Sequence, residues 1–179
     1  MPRSCLGLLV CAWATLIGMA EAETLKPADQ RYGQDTAETP DFQRHVLPLL
    51  GRLGCNGRAC HGSFQGQGGF RLSLFGYDFV ADHAALCGGE KPRVNLKQPG
   101  ESLMLQKPTL AVDHDGGERF KAGGWEHRLL KRWIETGAVG YDQEQAASLV
   151  RIEVAPADIL FAKAGAVEPV RVTAVWSDG

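Results

Sequence analysis

The sequence lacks a surplus of charge of either sign. Its 179 residues include 19 Lys and Arg against 21 Asp and Glu, which gives a formal net charge of -2. Proteins that bind nucleic acid through phosphate contacts usually carry a concentrated basic surplus. Nucleic acid is therefore not expected as a partner. The composition favours a cofactor, a small molecule or another protein.

The sequence also lacks an apolar run of the roughly 20 residues that a transmembrane helix needs. Its longest apolar run, residues 5–19, follows the basic Arg3 and precedes the small residues Ala20 and Ala22. This order is typical of a cleaved signal peptide. Residues 1–22 are therefore predicted to direct export, to the periplasm, the cell surface or the medium.

Cysteine is scarce once that segment is set aside. Of the five cysteines, two lie in the predicted signal peptide, and Cys55, Cys60 and Cys87 remain. In an exported protein such thiols become oxidised or are used covalently. Residues 23–40, which precede them, are polar and contain two prolines without an apolar period. This composition predicts a flexible leader.

Residues 41–140 combine helical periodicity with glycine-rich loops. Asp41 can cap a first helix that Gly54 ends. The clearest helix is predicted near the end of the region, where an apolar stripe recurs at helical spacing up to Gly137. The stripe comprises Trp125, Leu129, Leu130, Trp133 and Ile134. A mainly α-helical domain is therefore expected at 41–140.

The last part of the sequence changes to strand periodicity. Alternating apolar residues at 149–154 and 170–176 predict two strands. Two strands alone are marginally stable at best, and the Ser-Asp-Gly at 177–179 is a turn signal. Residues 149–179 are thus expected to be the N-terminal part of a β domain, truncated here, that continues in a longer protein.

One motif carries chemistry. Cys55 and Cys60 are separated by four residues, and His61 directly follows the second cysteine. In c-type haem attachment two thiols bond to the porphyrin and the adjacent histidine ligates the iron, with a usual spacer of two residues. The same residues permit a Cys55–Cys60 disulfide, or a metal site completed by His114 or Cys87. The spacing alone leaves these three interpretations open.

A series of sequence blocks surrounds this motif. The blocks GCNGRACHG, GGFRLSLFGYD, RVNLKQPGESLMLQKPT, DHDGGERF and LLKRWIETGA follow one another in this order. Together they resemble the cytochrome c-like domain of large exported proteins of planctomycetes, over about Phe42 to Val139. The four-residue spacer belongs to that family's pattern. The resemblance implies a helical cytochrome c-like fold with long glycine-rich loops, one covalent haem c on Cys55 and Cys60, and His61 as the proximal iron ligand.

The resemblance also implies a place for the second axial ligand. In typical small cytochromes c the sixth ligand lies in a proline-containing loop before the last helix. His114 occupies the matching position, between Pro108 and the Trp133 helix. His114 is therefore the proposed distal ligand. Met104 is the alternative, although its apolar neighbours favour a packing role.

Other charged and titratable residues receive weaker assignments. Arg71, Lys107 and Arg119 are candidates to neutralise haem propionates. The remaining histidines are expected to be solvated surface residues: His45, His83 and His127. Residues 149–179 resemble the opening of a bacterial Ig-like domain of the second group, which implies a truncated β-sandwich after the haem domain.

Electron transfer by one covalent haem is the function that the resemblance implies. No nucleophile with an oriented base is evident, so no independent catalysis is expected, and the expected partner is a redox protein or a fused domain. Two other classes are alternatives. One is a non-enzymatic surface or adhesion module with a Cys55–Cys60 disulfide and an Ig-like repeat. The other is a metal-dependent hydrolase, for which the sequence lacks an evident cluster of carboxylates and histidines.

Overall fold

The computed structural model describes residues 24–178. The predicted signal peptide, residues 1–22, lies outside the described residues. The helices and strands follow one another in the order α1 (Ala28–Arg31), α2 (Leu47–Arg52), α3 (Phe79–Cys87), α4 (Leu103–Gln106), α5 (Trp125–Glu135), β1 (Leu149–Ala155) and β2 (Arg171–Trp176). Two 3-10 turns, Leu74–Gly76 and Pro99–Glu101, lie between the helices, and a π-helical turn, Phe42–Val46, leads into α2.

Helix α5 supplies the centre of the core. Its apolar stripe faces inward, so that Leu129, Leu130, Trp133 and Ile134 are buried. The Trp133 ring stacks on the Phe42 ring at 5.5 Å between centroids. Its indole N–H donates a hydrogen bond to the Val139 carbonyl at 2.9 Å. The buried indole therefore has its one polar group satisfied, as a core tryptophan requires.

The helical segment that ends in α2 begins with a capped turn. The Asp41 carboxylate accepts a hydrogen bond from the Arg44 N–H at 2.7 Å, as an N-cap does. Pro48 has no N–H, and its ring crowds the carbonyl four residues earlier, so the α-helical pattern does not run through this point. The wider π-helical turn Phe42–Val46 precedes α2, and Pro48 lies within the first turn of that helix.

Residues 24–40, expected to form a flexible leader, pack against α5. The Tyr32 side chain is fully buried. Arg128 donates hydrogen bonds to the carbonyls of Tyr32, at 2.9 Å, and Gly33. Arg132 donates another to the Ala37 carbonyl at 3.2 Å. The side chains of α5 thus bind the backbone of this segment at three points.

The expected fold class is wrong. A mainly α-helical domain followed by a truncated β-sandwich is not what residues 24–178 form, because 29% of the structure is helix and 10% is strand, with five helices and two strands. The longest helix, α5, has 11 residues. Glycines with left-handed backbone, such as Gly66, Gly68 and Gly69, end regular elements and leave long loops between them. A sandwich needs two packed sheets, whereas β1 and β2 form one sheet.

Strands β1 and β2 pair antiparallel, with Ile152 opposite Ala174 and Val154 opposite Val172. Every residue of β1 is exposed. The hairpin touches the helical part through Arg44, whose guanidinium lies 4.8 Å from the Trp176 ring centroid and 2.5 Å from an Asp178 carboxylate oxygen. Within residues 24–178, none of the helices combines the length and hydrophobicity that a membrane crossing requires.

Candidate functional site

A cavity of about 480 Å³ opens beside the Cys55–His61 motif. This volume lies within the range of sites that bind small molecules and cofactors. The motif supplies Cys55, Cys60 and His61 to its wall, and the loop before α5 supplies His114. Apolar side chains form most of the remaining surface: Leu50, Leu72, Leu86, Leu103, Met104 and Pro108.

The four-residue spacer folds into a closed loop. The His61 N–H donates to the Cys55 carbonyl at 2.9 Å, so that the two ends of the motif meet. The residue after the histidine must be glycine, because a Cβ at Gly62 would lie 2.0 Å from the Asn56 carbonyl oxygen. The unusual spacer therefore still brings both cysteines and the histidine to one cavity.

The His61 imidazole is held in one orientation by the next loop. Its Nδ1 lies 3.1 Å from the Phe70 carbonyl oxygen, and the Phe70 ring packs edge-on against it at 4.8 Å. A carbonyl oxygen only accepts, so Nδ1 donates and Nε2 keeps its lone pair. Burial lowers the pKa of His61 and outweighs the opposing effect of the hydrogen bond to Phe70. The ring is therefore neutral at pH 7, as a metal ligand requires.

His114 is held in the same way from the other side. Its Nδ1 lies 2.8 Å from the Gly117 carbonyl, and the Gly117 N–H donates to the His114 carbonyl at 2.8 Å. Nε2 again keeps its lone pair. Gly116 lies directly beneath the ring, since a Cβ there would be 2.8 Å from Cε1 and 3.1 Å from Nε2 of His114. The absence of a side chain at 116 therefore makes room for the imidazole.

The two imidazole rings lie close together and are nearly parallel. Their ring centroids are 6.5 Å apart and their planes differ by 17°. An imidazole nitrogen binds a transition metal at about 2 Å, so two rings on opposite sides of one ion have centres about 6 Å apart once the ring radii are added. The separation of His61 and His114 therefore fits two axial ligands of one metal ion. Donation of each Nδ1–H to a backbone carbonyl is the usual outer-shell support for a metal-binding histidine.

The cysteines are free thiols. Cys55, Cys60 and Cys87 form no disulfide among residues 24–178. Burial raises the pKa of Cys55 to about 11, although Arg119 acts in the opposite direction. Arg119 donates an N–H to Cys60 Sγ at 3.6 Å. Cys55 and Cys60 thus lie at one wall of the cavity in the reduced form that thioether bonds require.

Cys87 lies apart from this cavity and beside another histidine. Its Sγ is 3.4 Å from His83 Nε2. Burial raises the pKa of Cys87 to about 11, so it stays a neutral thiol. The His83 ring packs against Phe42 and Trp133, with Nε2 2.7 Å from the Ala138 carbonyl. The expectation that His83 is a solvated surface residue is therefore wrong, because this half-buried ring joins α3 to the core.

His45 and His127 are also half-buried rather than fully solvated. Burial lowers the pKa of His45, and it has the same effect on His127. His45 packs edge-on against the Tyr32 ring, and the His127 ring lies 6.4 Å from that of Phe120. Neither residue lines the cavity. Their burial could not be predicted from the sequence, because helical neighbours alone do not show which face of a helix packs against the rest of the protein.

Met104, the alternative distal ligand, also reaches the cavity. Its side chain is 8% exposed and belongs to the core as well as to the cavity wall. His114 and Met104 therefore both lie at the cavity, as the two ligand hypotheses require. The parallel arrangement of the His114 and His61 rings favours His114.

The cationic residues of the cavity differ in part from those expected. Lys107 and Arg119 line it, whereas Arg71 does not and instead lies over the exposed Phe64 ring. Arg93 lines the cavity and was missed. The available signal was its place at the start of the block RVNLKQPGESLMLQKPT, but the sequence alone does not show that this block folds back onto the motif.

The site is an apolar cavity large enough for a cofactor, with two near-parallel imidazoles and two free thiols in its wall. Within residues 24–178, no group of three or more His, Cys, Asp or Glu side chains is placed to hold a metal ion on protein ligands alone. A planar ligand that brings its own metal fits this donor set, because it needs only the two axial imidazoles. The chain matches no protein-family model, no curated protein and no solved structure.

Proposed function

We propose that this chain is an exported c-type haem protein that transfers electrons through one covalently bound haem. The observation that carries the proposal is the pair of near-parallel imidazoles of His61 and His114, 6.5 Å apart, on an apolar cavity that also holds Cys55 and Cys60. The sequence blocks that resemble the cytochrome c-like domain of large exported planctomycete proteins also support it.

His61 and His114 would hold the iron of a bound haem. Each donates Nδ1–H to a backbone carbonyl, of Phe70 for His61 and of Gly117 for His114. The rings are thereby oriented before any ligand arrives, which reduces the entropy lost on binding. His61 follows Cys60 directly in the chain, so it is the proximal ligand, and His114 is the distal one.

Cys55 and Cys60 are the residues that would hold the group covalently, each thiol adding its S–H across one vinyl group. The bound haem would supply a one-electron iron couple. The apolar side chains of Leu50, Leu72 and Leu86 would lie beside that couple. Two imidazole ligands give a lower reduction potential than a His–Met pair, because thioether ligation raises the potential.

The remaining alternatives have less support. An adhesion module with a Cys55–Cys60 disulfide does not require two near-parallel imidazoles beside the free thiols. A metal-dependent hydrolase requires a cluster of protein ligands, and none is formed among residues 24–178. The partner follows from the chemistry: a redox protein, or a domain fused to this one, that gives or takes one electron.

The test is covalent haem content. The chain is expressed in a host with c-type haem-attachment machinery, denatured, and examined by its pyridine haemochrome spectrum. The proposal predicts one covalent haem per chain. Cys60→Ala should lower covalent retention, whereas the matched control Cys87→Ala should not, because Cys87 does not line the cavity.

Three results would contradict the proposal. A colourless wild-type protein without iron under these conditions would favour the disulfide-containing module. A protein with bound metal but no haem absorbance would favour the hydrolase. Equal covalent retention in Cys60→Ala and wild type would show that the motif is not the attachment site.

A further inference from the structure

More cationic than acidic side chains line the cavity. Three cations line it, Arg93, Lys107 and Arg119, against one carboxylate, Asp115. A guanidinium beside an apolar cavity is costly unless it has an anionic partner. The excess of cations therefore indicates a ligand that carries carboxylate groups as well as a flat apolar body.

We propose that Arg93 binds a carboxylate of the ligand in this cavity, which is a propionate group if the ligand is haem. The inference rests on the proposed function for the identity of the ligand. Arginine suits the role because its planar guanidinium donates two parallel hydrogen bonds to one carboxylate.

Arg93 lies on the same wall as His61. Its guanidinium carbon is 4.9 Å from the Phe70 ring centroid, and Phe70 packs against His61 and accepts its Nδ1–H bond. The backbone of Arg93 is fixed at both ends, since its N–H donates to Leu86 at 2.7 Å and its carbonyl accepts from Met104 at 3.0 Å. The side chain therefore starts from a rigid position beside the ligating histidine.

Within the part of the chain that the structure describes, the guanidinium of Arg93 has no acidic side chain as an ion-pair partner. None of the ion pairs within 4.0 Å among residues 24–178 includes it. Its described contact is the face of the Phe70 ring. All of its donors remain available to a ligand, which distinguishes it from the other two cations of the cavity.

Those two cations are already engaged. Arg119 donates to Cys60 Sγ at 3.6 Å, at the wall where the thioether bonds would form. Vinyl and propionate groups lie at opposite edges of a porphyrin, so Arg119 is on the wrong side for a propionate. Lys107 Nζ donates to the Asp113 carbonyl at 2.8 Å and fastens the loop that carries His114. Arg93 is therefore the cation assigned to the carboxylate.

The experiment separates carboxylate recognition from apolar packing. The full chain carries Cys55→Ala and Cys60→Ala so that binding is reversible, and it is titrated with haemin and with haemin dimethyl ester, which has no free carboxylate. Dissociation constants come from the Soret absorbance. Arg93→Gln is compared with Arg71→Gln, a matched control because Arg71 also lies over a phenylalanine ring, Phe64, outside the cavity.

In this background Arg93→Gln should weaken haemin binding about ten- to a hundredfold, as loss of a hydrogen bond to a charged group does, and leave ester binding unchanged. Arg71→Gln should change neither constant. Equal weakening of both probes by Arg93→Gln, or of neither, would overturn the assignment, as would selective loss of haemin binding in Arg119→Gln. Failure of the parent protein to bind either probe would instead contradict the proposed function, and the inference with it.

Discussion

Residues 24–141 and the hairpin of β1 and β2 differ in what holds them together. In the first region the core side chains are shielded from water, and Trp133 and Leu130 are fully buried. In the hairpin the apolar side chains remain in contact with solvent, with Ile152 58% and Val172 63% exposed. Apolar burial is the main stabilising term in folding, so the first region carries most of the stability.

The difference also concerns the site. The cavity and its candidate ligands lie within residues 50–119, and none comes from the hairpin. The two loops that carry His61 and His114 rest on the core that α5 organises. Damage to the core should therefore disturb the site, whereas changes in the hairpin should leave both the stability and the site nearly intact.

The largest expected effect is at Trp133. Trp133→Ala removes a fully buried ring that stacks on Phe42 and should destabilise the protein by about 3–5 kcal/mol. Trp176→Ala in the hairpin is the matched control. Trp176 is partly exposed and contacts Arg44 through its ring face, so its loss should cost about 1 kcal/mol or less. Urea unfolding measures the loss of stability in both variants. Equal losses would contradict the difference in stability between the two regions.

The next effect is at the buried Asp82 of α3. Its carboxylate is 1% exposed and accepts hydrogen bonds from the Ser73 N–H at 2.5 Å and the Ser73 hydroxyl at 2.7 Å. Asp82→Ala leaves these donors without a partner and should cost about 1–3 kcal/mol. Asp82→Asn, which keeps an acceptor, should cost less. A loss of equal size in both variants would mean that these hydrogen bonds do not stabilise the fold.

The same carboxyl should make stability depend on pH. Burial raises the pKa of Asp82, against the opposing hydrogen bonds from Ser73. The folded protein therefore holds this proton to a higher pH than the unfolded chain, and the contribution is present below the unfolded pKa of about 4 and lost as pH rises through the folded pKa. The stability of wild type relative to Asp82→Asn should therefore fall as the pH is raised from about 4 toward neutral. A difference that is constant across that interval would contradict the shift.

A smaller effect is expected at Gly116, within the site itself. A Cβ at 116 would crowd the His114 ring at 2.8 Å, so Gly116→Ala should displace the imidazole and cost about 1 kcal/mol in stability. With haem bound, the variant should lose low-spin character. Gly100→Ala is the matched control, because a Cβ at Gly100 meets no atom within 4 Å. An unchanged spectrum in Gly116→Ala would remove His114 from the site or show that its ring is free to adjust.

The smallest effect belongs to the hairpin. Ile152→Thr changes an exposed side chain of β1 and should alter the free energy of unfolding by no more than about 0.5 kcal/mol. Its haem spectrum should match wild type. A large loss would show that this face is covered in solution, and the contrast between the two regions would then be weaker than described.

The sequence predicted the elements with strong periodicity. The stripe from Trp125 to Ile134 lies in α5, and the alternating segments at 149–154 and 170–176 coincide to within one residue with the strands β1 and β2. Around Phe70, glycines with left-handed backbone turn the chain and leave a single bridge between Gln67 and Phe70. The fold class was wrong because loops, which have no period, make up most of residues 24–178.

For the site, residue types could be predicted from the sequence but their arrangement could not. Cys55, Cys60 and His61 could be predicted as site residues, since they are neighbours in the chain. The imidazoles of His61 and His114 come close together because two loops far apart in sequence meet at one cavity. The same is true of Arg93, which reaches the cavity through contacts of its backbone with Leu86 and Met104.

The central claim is that His61 and His114 ligate one iron, and the spin state of the oxidised holoprotein tests it most directly. Electron paramagnetic resonance and near-infrared magnetic circular dichroism distinguish two imidazoles from an imidazole and a thioether. Wild type, Met104→Leu and the control His127→Ala should all give a low-spin bis-imidazole signature, and His114→Ala should give a high-spin one. A low-spin state that survives in His114→Ala and is lost in Met104→Leu would contradict the claim.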